Sequence, residues 1–166
     1  NVPVIRREKV DLRDLIEDTL DFFTTAYPKA TIELEITEGI PEINADPLRL
    51  RQVFNNLIKN ALEASSEIGG GHIIVSVREV EYTQSHYFEI LISDCGTGIP
   101  DELIASIFEP YVTNKNKGSG LGLAIVKKIV EEHHGVVSLK NKTDQGVLVT
   151  IRFPITKSIS VLEVAE

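Results

Sequence analysis

The sequence predicts an α+β fold: a two-layer sandwich whose mixed, mostly antiparallel sheet carries its helices on one face. Three observations predict it. Apolar residues recur at helical spacing over 12–23, 50–61 and the stretch that follows 120. They alternate with polar residues over 31–36, and further strand-like runs follow at 73–80, 87–94, 136–139 and 147–153. Finally, 166 residues suffice for one domain with a real core and are too few for two comfortable ones.

Each element has a local reason. Val4–Val10 reads as a short strand. Asp11 then caps a helix whose stripe is Leu12, Leu15, Ile16, Leu20 and Phe23, and which ends before Pro28. TIELEI at 31–36 alternates as a strand. Asp46 as N-cap with Pro47 at the first helical position opens a second helix that runs to about Ser66, where GGG at 69–71 breaks it. Strands are expected at Ile73–Val80 and Tyr87–Asp94, joined by the polar EYTQSH. Gly96–Ser119 is irregular and longer than ordinary connections, as a functional lid would be. A third helix follows and stops at Gly135, read as its C-cap. Val136–Leu139 and Val147–Phe153 close the fold as a hairpin. The expected organisation is a single domain over 1–166, with a core of about 4–154 and a tail at 155–166 without readable pattern.

The net charge of −8 argues against nucleic acid or an anionic membrane as partner, so an anionic ligand must be met by a local positive site. Cys95, the one cysteine, excludes an internal disulfide and suits a reducing compartment. No membrane span or signal peptide is legible. Because the chain opens on Asn1 rather than methionine, it is expected to be a piece of a longer one, which leaves a membrane anchor elsewhere open.

Three polar features stand out against this background. In RQVFNNLIKNALEAS, Leu50, Val53, Phe54, Leu57 and Ala61 form the apolar stripe, and Asn56 and Asn60 share its border. Asparagine forms helices poorly, and this pair either lines a cleft as oxygen donors for a hard cation such as Mg²⁺ or is simply solvated. In YFEILISD, Asp94 continues the core-facing row of Phe88, Ile90 and Ile92, and Gly96 and Gly98 follow it. A buried carboxylate needs a donor. The exocyclic amine of an adenine lying on the bare glycine backbone would serve, and so would a glycine turn that ends the strand. Third, GSGLGLAIVKKIVEEHHG (118–135) starts a helix with alternating glycines, each costing about 0.5–1 kcal/mol relative to alanine. Free N–H groups there, backed by the helix dipole, suit phosphate oxygens, with Lys115 and Lys117 just upstream. The spacing is neither that of a P-loop nor that of a dinucleotide fingerprint. Together the three describe a Mg-ATP site.

These motifs resemble those of the ATP-binding catalytic domain of sensor histidine kinases, in the superfamily that also holds gyrase, the heat-shock chaperone ATPase and the mismatch-repair ATPase. NLIKNALEA (56–64) resembles the N-box, DCGTGI (94–99) the first glycine box, IFEPYVTNK (107–115) the F-box and GSGLGLAIVKKIVEEHHG the second glycine box. The wording is most like nitrogen-regulation sensor kinases of the NtrB and NtrY type. The resemblance implies the Bergerat-type ATP-binding fold, ATP and Mg²⁺ as ligands, and transfer of the γ-phosphoryl group to a histidine. It assigns Asn60 to the metal, Asn56 and Lys115 to the phosphates and to catalysis, and Asp94 to the adenine amine. It makes Gly96 and Gly98 the floor of the adenine slot, with Ile99 beside them, and Phe108 and its neighbours the anchor of the lid. Gly118, Ser119, Gly120, Leu121, Gly122 and Leu123 would wrap the triphosphate, and Glu63, Thr113 and Thr150 complete the ATP-binding set.

Asn56 stands where ATPases and serine-directed kinases of the superfamily typically carry a glutamate base, a departure that favours a histidine acceptor. Glu63 replaces a lysine found in many sensor kinases and is a mark of the nitrogen-regulation branch. None of His72, His86, His133 and His134 lies in a phosphoacceptor context, and the last two read as helix-end residues whose charge suits the dipole. Cys95, between Asp94 and Gly96, reads as a small buried filler, with a reactive thiol near the adenine as the alternative. The resemblance therefore implies a monomeric fragment that binds ATP without labelling itself. Its own dimerisation and histidine-phosphotransfer hairpin would lie upstream in a homodimeric parent, with a response regulator downstream. The domain would be cytoplasmic, and an inner-membrane anchor in the parent is compatible with this. An ATPase or serine kinase of the same superfamily, or a nucleotide-responsive interaction module, is the alternative.

Overall fold

The computed structural model describes residues 4–66, 68–113 and 118–156. In chain order the elements are β1 (Glu8–Val10), α1 (Leu12–Ala26), β2 (Thr31–Ile36), β3 (Ile43–Ala45), α2 (Pro47–Ser66), β4 (His72–Tyr82) and β5 (Ser85–Ser93). They continue with α3 (Asp101–Ile104), α4 (Gly122–Glu132), β6 (Val136–Asn141) and β7 (Val147–Pro154). The main sheet has the order β2-β4-β5-β7-β6, with β2 parallel to β4 and every other pair antiparallel. That parallel pair needs a crossover, and α2 lies within it. Strands β1 and β3 form a separate antiparallel ribbon. Among the described residues no helix is long and apolar enough to cross a membrane.

Register divides the sheet into two chemically distinct faces. Val75, Ile92, Val149 and Leu139 stand side by side across four strands, as do Val77, Ile90, Ile151 and Val137. These rows meet the helices, and most of their members are buried. The alternate rows, Ser76–Leu91–Thr150–Ser138 and Arg78–Glu89–Arg152, lie on the outer face. There Glu89 is 2% exposed, covered by Arg78 (2.6 Å) and Arg152 (2.8 Å), with the Tyr82 hydroxyl donating to it at 3.3 Å.

The helices bury the stripes that the sequence predicts, and Ile58 and Leu62 extend that of α2. Both predicted caps form: Asp11 Oδ1 accepts the N–H of Asp14, and Asp46 Oδ1 those of Leu48 and Arg49. Four expectations change. Strand β1 begins at Glu8 rather than Val4, and β3, which pairs with it, is too short for a pattern of its own. The EYTQSH connection shrinks to Thr83–Gln84, both at positive φ (49° and 65°), because the flanking residues continue the ladder. Neither residue advertises such a turn, which usually selects Asn-Gly. The Gly96–Ser119 segment contains the short α3.

The end of α4 also differs in its cause. The left-handed position is His134 (φ 61°), not Gly135. Gly135 is demanded instead by packing on β7, since a Cβ there would lie 2.7 Å from the Arg152 carbonyl oxygen. His133 is 6% exposed and sits inside the fold. Its Nε2 accepts the Asp46 N–H at 3.0 Å and its Nδ1 donates to the Ile129 carbonyl at 2.8 Å, because a backbone N–H can only donate. The same Asp46 accepts the Arg6 N–H through Oδ2. One aspartate and one histidine thus tie the start of the domain to the first turn of α2 and the last of α4.

Burial alone would raise the Glu89 and Asp46 carboxyls. For Glu89 the hydrogen bonds and charges of Arg78 and Arg152 prevail, and for Asp46 the backbone N–H groups and Arg49 do, so both are held below the ordinary range. The folded chain then binds fewer protons than the unfolded one. Their contribution is complete above the usual carboxylate range near pH ~4 and is lost as pH falls through their lowered values. Urea titrations should show stability falling below about pH 4.5, with a flatter decline in Glu89→Gln. An identical decline in that variant would remove Glu89 from the acid response.

Candidate functional site

Helix α2 presents Asn56, Asn60 and Ala64 at successive four-residue steps along the border of its buried stripe. Both asparagines are half-buried, as is Glu63, which pairs with Lys59 at 3.9 Å. The two ends of this ridge meet the two glycine stretches.

At one end lies the start of α4. A Cβ on Gly122 would come 3.4 Å from Asn56 Oδ1, so the bare first residue of α4 faces the α2 carboxamide. The cap position, Leu121, supplies no side-chain capping bond, although the Ser119 hydroxyl accepts the Leu121 N–H at 3.3 Å. Gly120 (φ 70°) lies so close to Tyr111 that a Cβ would fall 2.6 Å from its carbonyl carbon, and the Tyr111 N–H donates to the Gly120 carbonyl at 3.0 Å. This brings the two sides of the lid segment together, with Tyr111 itself at φ 67° and Thr113 half-buried nearby in sequence. The buried member of that segment is Ile107, whereas Phe108, the expected anchor, is half-buried. Gly118 is exposed, and Leu123 packs on the core. Lys115 and Lys117 lie outside the described residues.

At the other end a Cβ on Gly96 would lie 2.7 Å from that of Ala64, so the glycine strip after β5 runs against α2. Asp94 is buried just beyond β5. Its Oδ1 accepts the N–H groups of Gly96 (2.9 Å) and Val147 (3.1 Å), and its carbonyl accepts Lys142 Nζ at 3.0 Å. The glycine-turn reading of Asp94 is therefore realised in the Gly96 bond. Gly146 (φ 96°) passes directly beneath, where a Cβ would collide with the Asp94 carbonyl and lie 2.8 Å from Oδ1. Gly98 (φ 79°) and Ile99 contact Asn141, which bonds both the N–H and the carbonyl of Ile99.

From Asn56 to Ala64 is eight residues, about 12 Å of helix, the length scale of a mononucleotide. Side-chain-free backbone meets the ridge at both ends, Gly122 beside Asn56 and Gly96 packed on Ala64, with Asn60 between them. The uncapped glycine start of α4 suits an anion, and the amide oxygens of Asn56 and Asn60 suit a hard cation.

One predicted residue does not belong here. Thr150 lies on the outer face of the sheet, between Leu91 and Ser138, because it alternates with the buried Val149 and Ile151. Val147 is the β7 residue that reaches Asp94. Asn141, Lys142 and Gly146 also meet Asp94 or the strip after it, and the sequence does not point to them. Only Gly146, in DQGV, carries a turn signal, since side-chain bonds across 42 to 53 residues leave no local pattern. A hollow of about 170 Å³ beside Asp11, Arg13, Ile36 and Ile40 shares no residue with the ridge.

Residues 45–157 match the family described as histidine kinase-, DNA gyrase B- and HSP90-like ATPases. The chain belongs to this family. It is 37% identical over 150 residues to the sensor histidine kinase ZraS of Escherichia coli, covering 89% of this chain and 31% of ZraS. It is also 38% identical over 112 residues to a putative NtrY-like sensor histidine kinase of Rickettsia felis, covering 68% of this chain and 18% of that protein. The chain thus spans less than a third of these curated relatives. The catalytic domain of histidine kinase ThkA superposes with a TM-score of 0.79 at 30% identity, over 92% of this chain and 99% of that one. ThkA has also been solved in complex with the response regulator TrrA (TM-score 0.73, 29% identity, 92% of this chain and 43% of that one). The expected resemblance and the Bergerat-type fold are both borne out.

Gly146→Ala should lower stability by about 2–4 kcal/mol, since it strains a left-handed residue and displaces the Asp94 hydrogen bonds. The readout is the urea midpoint. A variant as stable as the parent would mean that the turn need not pass under Asp94.

Proposed function

We propose that this chain is the single catalytic domain of a two-component sensor kinase. It binds Mg-ATP along the α2 ridge and transfers the γ-phosphoryl group to a histidine on a dimeric helical hairpin upstream in the parent protein. The observation that carries this reading is the ridge itself: Asn56 and Asn60 between the glycine start of α4 and the glycine strip after Asp94. The names of the relatives support the acceptor and the pathway, with a response regulator taking the phosphoryl group from the hairpin.

On this reading Asp94 selects the adenine amine, while the strip of Gly96 and Gly98, drawn against Ala64 and Asn141, forms the floor under the ring and Ile99 lies beside it. The amides of Gly118 to Leu123 draw around the triphosphate, aided by the α4 dipole. Asn60 holds Mg²⁺, which supplies charge neutralisation at the transferring phosphoryl group. Asn56 orients phosphate, and Glu63 and Thr113 border the cleft. Lys115 is assigned to the γ-phosphate on its sequence position alone. Thr150 has no part. The chain's work is positioning and electrostatics. No residue is asked to remove a proton: the Asn56 carboxamide cannot, and an imidazole with a pKa near ~6.5 is largely neutral at pH 7. The same substitution disfavours hydrolysis, which needs an activated water.

Incubating the chain with labelled ATP, Mg²⁺ and the parent's hairpin domain should place acid-labile phosphate on the hairpin histidine, and none on the chain alone. Steady-state hydrolysis without transfer would replace this reading with an ATPase. Binding with neither activity would leave an interaction module. Separately, Asn60→Ala should weaken an ATP analogue at least ~10-fold in Mg²⁺ and less than about twofold in EDTA, by calorimetry. Equal losses in both would take Asn60 out of the metal site.

A further inference from the structure

We propose that Asn141 is a positioning residue for base recognition, holding the Gly96–Ile99 strip at the height that a planar base requires. The inference rests on the reading of Asp94 and this strip as the adenine slot, and adds to it a residue on a different hairpin.

Strand β5 leaves its ladder at Ser93, its last paired residue. The strip beyond it contains two glycines, which lose more conformational freedom on ordering than any other residue. It therefore needs an external hold. Asp94 supplies one at Gly96. Asn141, the last residue of β6, holds its far end: its Oδ1 accepts the Ile99 N–H at 2.9 Å and its Nδ2 donates to the Ile99 carbonyl at 2.7 Å. The orientation of the carboxamide follows from its partners, since an N–H can only donate and a carbonyl only accept. A carboxamide is the side-chain counterpart of a peptide group, so this reciprocal pair replaces a missing rung of β-ladder. Gly98 lets it approach, because a Cβ there would lie 3.0 Å from Asn141 Oδ1 on a residue at φ 79°.

Few substitutes satisfy both bonds. Aspartate only accepts, and sets its charge against the Ile99 carbonyl. Serine, with one shorter hydroxyl, can serve at most one group, and alanine neither. Losing the pair frees the strip at its far end while Asp94 stays anchored by Gly96 and Val147. The consequence should fall on the base and spare the phosphates.

The test measures ADP and IDP, which lacks the exocyclic amine, by displacement calorimetry on the 166-residue chain, with and without Mg²⁺, alongside thermal melts. In Asn141→Ala, ADP should bind about 10-fold more weakly and the preference for ADP over IDP should narrow at least ~3-fold. The ratio of affinities with and without Mg²⁺ should not change. Asn141→Asp should be at least as damaging. A merely structural residue would lower the melting temperature and weaken both nucleotides alike, which overturns the proposal. So does a folded Asn141 variant with ADP affinity and preference within about twofold of the parent while Asp94→Asn abolishes the preference. If Asp94→Asn itself leaves that preference unchanged, the slot reading has failed and the inference with it. Should the alanine variant not fold, Asn141→Ser, which keeps a polar group but not the reciprocal pair, carries the same comparison.

Discussion

Helix α2 must bury one face completely and keep the adjoining border uncovered, and the rest of the molecule is arranged around that constraint. Leu50, Val53, Phe54, Leu57, Ile58, Ala61 and Leu62 take the buried side against α1, α4 and the sheet. With so many apolar contacts a helix has one rotational setting, since any turn about its axis would expose methyl groups and bury carboxamides. The positions of Asn56 and Asn60 are then a by-product of core packing. A cleft lined by polar side chains needs no flexible loop to aim them.

What keeps the cleft open at a defined width is the antiparallel run of α4 beside α2. Their far ends are joined by the Asp46 N–H to His133 bond, supported by Arg49 against Glu132 at 3.6 Å. Their near ends meet where Gly122 faces Asn56. Fixing two helices at a distant contact and leaving side-chain-free backbone at the near one lets hydrogen-bond donors point into the gap. The Arg6 N–H on the same Asp46 couples the start of the domain to this pair.

The opposite end follows a different logic. The Gly96–Ile99 strip has neither helix nor ladder, and its order comes from Asp94, from Ala64 of α2 and from the hairpin formed by β6 and β7. Asn141, Lys142, Gly146 and Val147 each meet Asp94 or the strip, so the turn of one hairpin completes the end of another strand. The half of the ridge beside α4 is therefore built from helices, and the half beside Asp94 from crossed side-chain to backbone bonds. The first tolerates little rotation, and the second depends on a few directional contacts.

The sequence by itself determined whatever is periodic or adjacent along the chain. The stripes of α1 and α2, their aspartate caps, the alternation of β2 and the spacing of Asn56 with Asn60 are local, and each survives in the structure. The family was legible for the same reason, because its glycines and asparagines lie in short contiguous runs. Tertiary structure decided what depends on residues far apart. It turned Thr150 to the outer face, since the parity of β7 is set by which rows meet the helices. It buried His133 between two helix ends, made Gly135 a packing requirement, and brought Asn141 to Ile99 across 42 positions. A hydrogen bond between distant segments leaves no period in the sequence, because either partner alone is an ordinary polar residue.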